Sequence, residues 1–484
     1  MTSAGLAPHV ESFPLRGGRR PVTLHATGLR HAASWLAGGE SFTGFEEITD
    51  VALGARGLKI GTTRNVVLLP RRVFLDPSAP ERLSHVLIER IGSSPGGSLQ
   101  LARMAEVEQL ARQAHRPRAT WTLLALCVLL YLLESVLGPE LQNEGHFGST
   151  LFLAGEHWRL VSANLLHAGP VHLLFNVLGL FVLGELVERP LGASRTLVIM
   201  AASALGAMAA GAAAGYEYAV GASGIVCGLL GAALYLELRI PERVPAAWRV
   251  PRRLLFVVLA AEATSSLVVP SIAGACHLGG FLAGVAAAAL VTPRILAAAP
   301  APTWIRATAA ALAVAFVTTG FTLAREVVGG SAVLARRAER LLALPSVSPV
   351  LLNNTAWMIV TANEPTAEQI ELALRSAQRA VAQTERADPN FLDTLAESQF
   401  LAGRGADALE TIDEAIALAP GETYFVEQRR RFTGERDYDD RPAPPSEPAD
   451  RDEQAEPWLE EPSPGHPGLP PGHPPLDEDP GISV

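Results

Sequence analysis

Apolar residues are segregated along this chain. They gather into seven runs, at roughly 121–137, 170–187, 196–214, 220–236, 254–272, 275–292 and 305–324, several of them short or rich in Ala and Gly. A run of about 20 apolar residues is long enough to cross a bilayer as a helix. Arg112, Arg116 and Arg118 precede the first run, so its N-terminal side is expected in the cytoplasm. Counting spans from there, the loop after the fourth must also be cytoplasmic, and it carries Arg239, Arg243, Arg249, Arg252 and Arg253. Arg189 and Arg195 after the second span agree with this sense, as do Arg294 and Arg306 after the sixth. Seven spans put everything beyond about 325 outside, and Arg336 and Arg337 just past the seventh count mildly against that step.

The flanks carry other periods. Residues 1–40, with Arg16, Arg19, Arg20 and Arg30 among glycines, predict no element. From Phe42 to Phe74, Phe45, Ile48, Val51, Leu58, Ile60 and residues 66–69 are interrupted by Gly54, Gly57 and Gly61, which predicts a small antiparallel β unit. Leu83, Leu87 and Ile91 then fall at helical spacing. Together these predict a small cytoplasmic α+β domain over 41–100, similar to bacterial pleckstrin-homology-like modules. Beyond the membrane, Leu392, Leu395, Ala396, Ala408, Ile412, Ala415 and Pro420 form a pattern that resembles a tetratricopeptide repeat. Ala373, Ala377 and Ala380 mark an earlier copy offset by close to the ~34-residue period, and residues 351–360 open it. A helical-repeat domain is therefore expected over 350–432, with a protein segment as its partner or, on the plainer reading, a generic helical cap. Residues 433–484, rich in Pro, Glu, Asp and Gly, are expected to be a disordered acidic tail.

Composition changes this picture in three places. Of 484 residues 49% are hydrophobic and 18% charged, and the net charge of −10 comes largely from the acidic tail. No polybasic stretch suggests a nucleic-acid partner. Cys127, Cys227 and Cys276 all lie in apolar runs, which predicts neither a disulfide framework nor a thiolate zinc site. Nothing near the N-terminus reads as a cleavable leader.

Against the expected topology, a few polar residues stand out. Gly221-Ala222-Ser223-Gly224 opens the fourth span. Small residues there suit close helix packing, while a hydroxyl at a helix N-terminus suits a nucleophile whose oxyanion would meet free backbone N–H groups and a positive dipole end. Counting places Ser223 near the outer end of span four and His277 near the outer end of span six. His172 and Asn176, at i and i+4, share a face of span two at a similar depth. Serine needs a base, and His277 is the histidine in spans four to seven that could serve. His172, the Asn176 amide and the Ser223 backbone N–H could stabilise an oxyanion. Gly224 and Gly228, with Gly280 and Gly284, give spans four and six one Gly-x-x-x-Gly face each. His167 reads by default as a packing residue. His167 and His172 are off the usual ligand spacing and no carboxylate joins them, so no metal site is expected. Glu262 in span five has two open readings, functional or protonated packing.

Jointly, His157-Trp158-Arg159-Leu160, His167, His172-x-x-x-Asn176, Gly221-x-Ser223-Gly224 and His277-x-x-Gly280-x-x-x-Gly284 resemble the rhomboid intramembrane serine proteases over about 119–295. The resemblance implies a mainly α, polytopic six-helix core, here with a seventh span at 305–324 and the two flanking domains. It implies a Ser223–His277 dyad without a third acidic member, so Glu262 stands outside it. It also implies oxyanion roles for His172 and Asn176, a loop pair in Trp158 and Arg159, and structural roles for Glu188 and Gly192. It implies no cofactor. Four residues after the serine, where the family often has an aromatic, stands Cys227.

The function expected on this basis is cleavage of transmembrane segments of other membrane proteins in a bacterial cytoplasmic membrane, with lipid and transmembrane substrates as partners. The alternative is a catalytically silent relative that binds transmembrane clients and recruits partners through its repeats. Silent relatives typically lack the serine or the histidine, and both are kept here. A transporter would want interrupted helices and inverted repeats, which the chain does not display.

Overall fold

A computed structural model of the chain describes residues 10–32, 39–113, 116–138, 140–269, 272–293, 300–437 and 441–442. Four strands, β1 (Glu11–Phe13), β2 (Val22–Leu24), β3 (Gly28–Ala32) and β4 (Glu40–Gly44), form one antiparallel sheet in chain order. A second sheet joins β5 (Ile48–Gly54), β6 (Gly57–Thr62) and β7 (Val66–Pro70). Helices α1 (Ala79–Gly92) and α2 (Gly97–Arg112) close the unit, and Leu83, Leu87 and Ile91 of α1 share a core with Phe13, Leu24, Leu29, Leu58 and Ile60. The domain boundary expected at residue 41 is therefore corrected, because β1, β2 and β3 lie before it and belong to the same core. Strands of three residues, such as β1 and β2, carry too little alternation to register along a sequence.

All seven apolar runs are helical. The first is α3 (Arg118–Leu137), followed in the 138–169 connection by the short α4 (Glu140–Gly145), α5 (Ser149–Leu153) and α6 (Arg159–Ser162). The others are α7 (Pro170–Leu191), α8 (Ala193–Ala213), α9 (Ser223–Arg239), α10 (Arg252–Val268), α11 (Gly274–Val291) and α12 (Thr303–Val328). Five of them, α3, α7, α8, α11 and α12, are by length and composition able to cross a membrane, which makes this a multi-pass integral membrane protein. The remaining two, α9 and α10, have 17 residues each. Twelve of the 17 residues of α9 are buried among α7, α8 and α11, so it is surrounded mainly by protein.

Two devices fix this bundle. Glu188, fully buried on α7, accepts from the backbone N–H groups of Ala119 at 2.9 Å and Thr120 at 2.8 Å and from the Thr120 hydroxyl at 2.7 Å. It thereby satisfies donors that the first turn of α3 leaves without an intrahelical partner. Between α9 and α11, glycine faces glycine: a Cβ on Gly280 would land on the Gly224 carbonyl, and one on Gly284 would land on the Gly228 backbone. The two helices approach to backbone contact, as small-residue faces allow.

The flanking domains sit at opposite ends of α9. Near its C-terminal end, Arg249 binds Glu237 with two bonds of 2.8 Å and donates to the Thr62 carbonyl at 3.1 Å, while Asp50 accepts from the Ala246 N–H at 2.6 Å. The N-terminal domain is docked there. At the other end, the Gly221 N–H donates to the Ala163 carbonyl at 2.8 Å. On that side, α13 (Gly330–Ala343) brings Arg337 onto Glu144 and Glu156. Five further helices follow, α14 (Pro349–Val360), α15 (Ala367–Gln383), α16 (Pro389–Leu401), α17 (Gly405–Leu418) and α18 (Thr423–Thr433). They share a core that includes Trp357, Leu374, Ala377, Phe391, Leu392 and Ile412. The expected tail, 433–484, lies almost wholly outside the described residues.

Candidate active site

Ser223 is the first residue of α9 and Ala222 its N-cap. Its backbone N–H is among the donors that a helix cannot satisfy internally, at the positive end of the dipole. The approach to it is shaped by Gly221, whose φ of 120° strongly disfavours a side chain. A Cβ at Gly221 would also lie 2.6 Å from Cε1 and 2.7 Å from Nε2 of His172, and 3.7 Å from Nδ2 of Asn176. The backbone two residues before Ser223 therefore runs directly over the His172 ring.

His277 stands in the first turn of α11, and its Nε2 lies 2.7 Å from Ser223 Oγ. The glycine contact between α9 and α11 makes that distance possible. The other ring nitrogen, Nδ1, lies 2.5 Å from Glu262 Oε1 and 3.2 Å from Ser266 Oγ, both on α10. Ser266 in turn donates to Glu262 Oε1 at 3.3 Å. This corrects the expectation that Glu262 stands apart from the pair: it touches the histidine. The available signal was an intramembrane carboxylate with a serine at i+4, hence on one helix face. What a sequence cannot supply is the rotation of α10 that turns this face to α11.

His172 and Asn176 lie together on α7. Asn176 is buried and donates one amide hydrogen to the His172 carbonyl at 3.0 Å, leaving a second. The rings of His172 and His167 meet at 5.3 Å between centroids, with planes at 61°. His167 is buried in the preceding loop with Nδ1 3.2 Å from the Leu165 carbonyl, and among the described residues its Nε2 has no hydrogen-bond partner. Burial and the neighbouring His172 push its pKa down to about 4, so it is neutral at pH 7.

The model of the rhomboid domain matches residues 154–294. A 167-residue stretch is 33% identical to the putative rhomboid protease YdcA of Bacillus subtilis, taking in 34% of this chain and 82% of that protein. The chain belongs to the rhomboid family. It is also 32% identical over 203 residues to the rhomboid protease GluP of Bacillus subtilis, covering 40% of this chain and 39% of that relative's length. To the rhomboid protease GlpG of Haemophilus influenzae it is 31% identical over 120 residues, 24% of this chain and 62% of that protein.

The rhomboid match begins just before a loop that the structure ties down tightly. Arg159 is fully buried, donates to Glu156 at 2.6 Å and to the His146 carbonyl at 2.8 Å, and lies 4.8 Å from the centre of the Trp158 ring. Trp158 packs beside Leu141, Leu166 and Leu323. Both residues brace the 138–169 connection, whose Ala163 carbonyl accepts from the Gly221 N–H. A cation is the other chemistry to weigh at the site, since Cys227 Sγ, a Glu262 oxygen and a His277 nitrogen lie within 4.8 Å of one another. Two ligands of one tetrahedral zinc sit about 3.3 Å apart, given bonds of ~2.0 Å. The 2.5 Å between Glu262 and His277 is a hydrogen-bond separation and does not fit that geometry.

Proposed function

We propose that this rhomboid-family chain is an intramembrane serine endopeptidase that cuts transmembrane segments of other proteins. The 2.7 Å contact between Ser223 Oγ and His277 Nε2 carries the reading. His277 takes the hydroxyl proton as Oγ attacks the scissile carbonyl carbon, then delivers that proton to the leaving amine. The Ser223 N–H, the second Asn176 amide hydrogen and the His172 ring are the groups aimed at the oxyanion. A substrate helix must unwind to present a carbonyl, so helix-destabilising residues near the cut are expected. The names of GluP and GlpG as rhomboid proteases support an enzymatic rather than a silent role.

The accompanying topology is a multi-pass protein of the bacterial cytoplasmic membrane, with lipid around it, N-terminus inside and C-terminus outside. Arg337, which otherwise opposes an outer C-terminus, is paired with two buried carboxylates and is not a free positive charge. The domain at the N-terminus is pleckstrin-homology-like in this reading, and helices α14 to α18 are tetratricopeptide-like and hold a protein partner.

The test is reconstituted protein with a single-span fluorogenic substrate and a fluorophosphonate probe. Wild type should cleave and label, and Ser223→Ala should do neither. Cleavage that persists in Ser223→Ala, or an inert wild type, rejects the assignment.

A further inference from the structure

The geometry points to a third member of the site: we propose that Glu262 is a positioning residue that turns the Ser223–His277 pair into a Ser–His–Glu relay. This rests on the protease reading above and deepens it. The argument starts from the two nitrogens of one ring. With Ser223 at Nε2 and Glu262 at Nδ1, the imidazole is bridged on both sides, at 2.7 and 2.5 Å. A carboxylate is acceptor-only, so the proton of neutral His277 resides on Nδ1 and donates to Glu262. That leaves the Nε2 lone pair facing the serine hydroxyl, which is the tautomer a general base must have.

The neighbours reinforce this orientation. Ser266 lies 3.2 Å from Nδ1 and donates to the same Glu262 oxygen at 3.3 Å, so the carboxylate is held from its own helix. Cys227, one turn beyond Ser223 on α9, approaches to within 4.8 Å of the same group with a side chain small enough to leave it room. Among the described residues, Leu255 is the one buried residue of α10. The contacts of Glu262 and Ser266 with His277 therefore also tie the upper part of a weakly embedded helix to the catalytic ring.

During acylation the Ser223 Oγ–H proton moves to Nε2 as Oγ bonds to the carbonyl carbon. Glu262 remains ionised, and the proton on Nδ1 stays on the ring. The imidazolium so formed faces a negative charge, and that stabilisation is larger in the transition state than in the ground state. Collapse returns the Nε2 proton to the leaving amine, and the ring recovers its starting tautomer. A fully enclosed carboxylate in this role is worth about 10⁴-fold in kcat. The Glu262 side chain is 34% exposed rather than enclosed, so a smaller effect of about 10- to 100-fold is expected here.

The experiment compares Glu262→Gln and Glu262→Ala with wild type in proteoliposomes, measuring kcat, KM and thermal unfolding. Glutamine is nearly isosteric, so a packing role predicts wild-type kcat for it, whereas the relay predicts that kcat falls about 10- to 100-fold in both variants. KM should stay within about twofold and Glu262→Gln should unfold at the wild-type temperature. Added acetate should restore part of the activity of Glu262→Ala, since the side chain it replaces is not fully enclosed by protein. If Glu262→Gln keeps kcat within about threefold of wild type, or loses activity only with a raised KM and a lowered unfolding temperature, the relay is overturned. Either result in an enzyme that still requires Ser223 leaves the protease assignment intact, whereas an inert wild type removes both.

Discussion

Arg337 Nε donates to Glu156 Oε1 at 2.9 Å, joining residues 181 positions apart. The same guanidinium lies 2.5 Å from Glu144, and Arg159 fills the other side of Glu156 at 2.6 Å. Two arginines and two glutamates thus form a buried cluster between α13 and the 138–169 connection. That connection also holds Gly221 through Ala163, so the C-terminal helices are anchored to the same segment that braces the serine.

Removing Arg337 should be costly. Arg337→Met leaves Glu144 and Glu156 buried with one guanidinium between them, a change of about 3–5 kcal/mol by the usual penalty for an unpaired buried charge. Burial opposes ionisation of Glu156, yet Arg337 and Arg159 outweigh it and hold its pKa at about 2 against an ordinary 4.5. A depressed folded-state pKa adds stability that is complete above about 4.5 and disappears as pH falls toward about 2. Thermal unfolding in detergent should show Arg337→Met well below wild type at pH 7, with the gap narrowing at pH 3.5. A gap that is absent at neutral pH, or constant with pH, contradicts this account.

Gly284→Val probes the helix contact independently of the chemistry. The added side chain would meet the Gly228 backbone, and overpacking of this kind costs about 1–3 kcal/mol. Because α9 and α11 carry Ser223 and His277, the separation needed to clear the Gly228 backbone, on the order of 1 Å, also lengthens their 2.7 Å contact. Fluorophosphonate labelling should fall at least tenfold while the seven helices persist by circular dichroism. Labelling at the wild-type rate would mean that the glycine face does not set the dyad.

These relationships were unequally legible. Lipid imposes a one-dimensional signal, since a spanning segment must satisfy its own backbone: all seven apolar runs are helical, and five of them are long and apolar enough to cross a membrane. The relative depth of Ser223, His277, His172 and Asn176 followed from counting along those helices. Contacts set by helix rotation or by long-range docking have no such signal. Glu262 could be singled out as an intramembrane carboxylate, but its contact with His277 depends on which way α10 faces. By charge count alone Arg337 opposes an outer C-terminus, whereas its pairing with Glu144 and Glu156 exists only in the fold. Of the strands before residue 41, β1 and β2 have three residues each and barely alternate, and the five-residue β3 holds one large apolar side chain, Leu29.

A second buried carboxylate pair, Asp393 and Glu397 on α16, makes the C-terminal helices respond to pH in the opposite sense. Glu397 meets Arg431, and Arg441 at 2.8 Å. Asp393 accepts from the Tyr424 hydroxyl and from Gln428, each at 3.2 Å. Burial first, and the Glu397 charge second, push its pKa up to about 7 from an ordinary 3.8. Between those values the folded chain holds a proton that the unfolded chain has released. The associated stability is therefore complete below about 3.8, declines as pH rises, and is gone above about 7. Asp393→Asn cannot ionise and should abolish the slope. Hydrogen exchange on the full chain, corrected for intrinsic rates, should show wild-type protection in α16 and α18 falling from pH 5 to pH 7 and levelling beyond. The asparagine variant should stay flat across that range and exceed wild type at pH 8. Parallel profiles for the two proteins would mean that Asp393 is already ionised in the folded domain at pH 5, with Tyr424 and Gln428 sufficient to carry its charge.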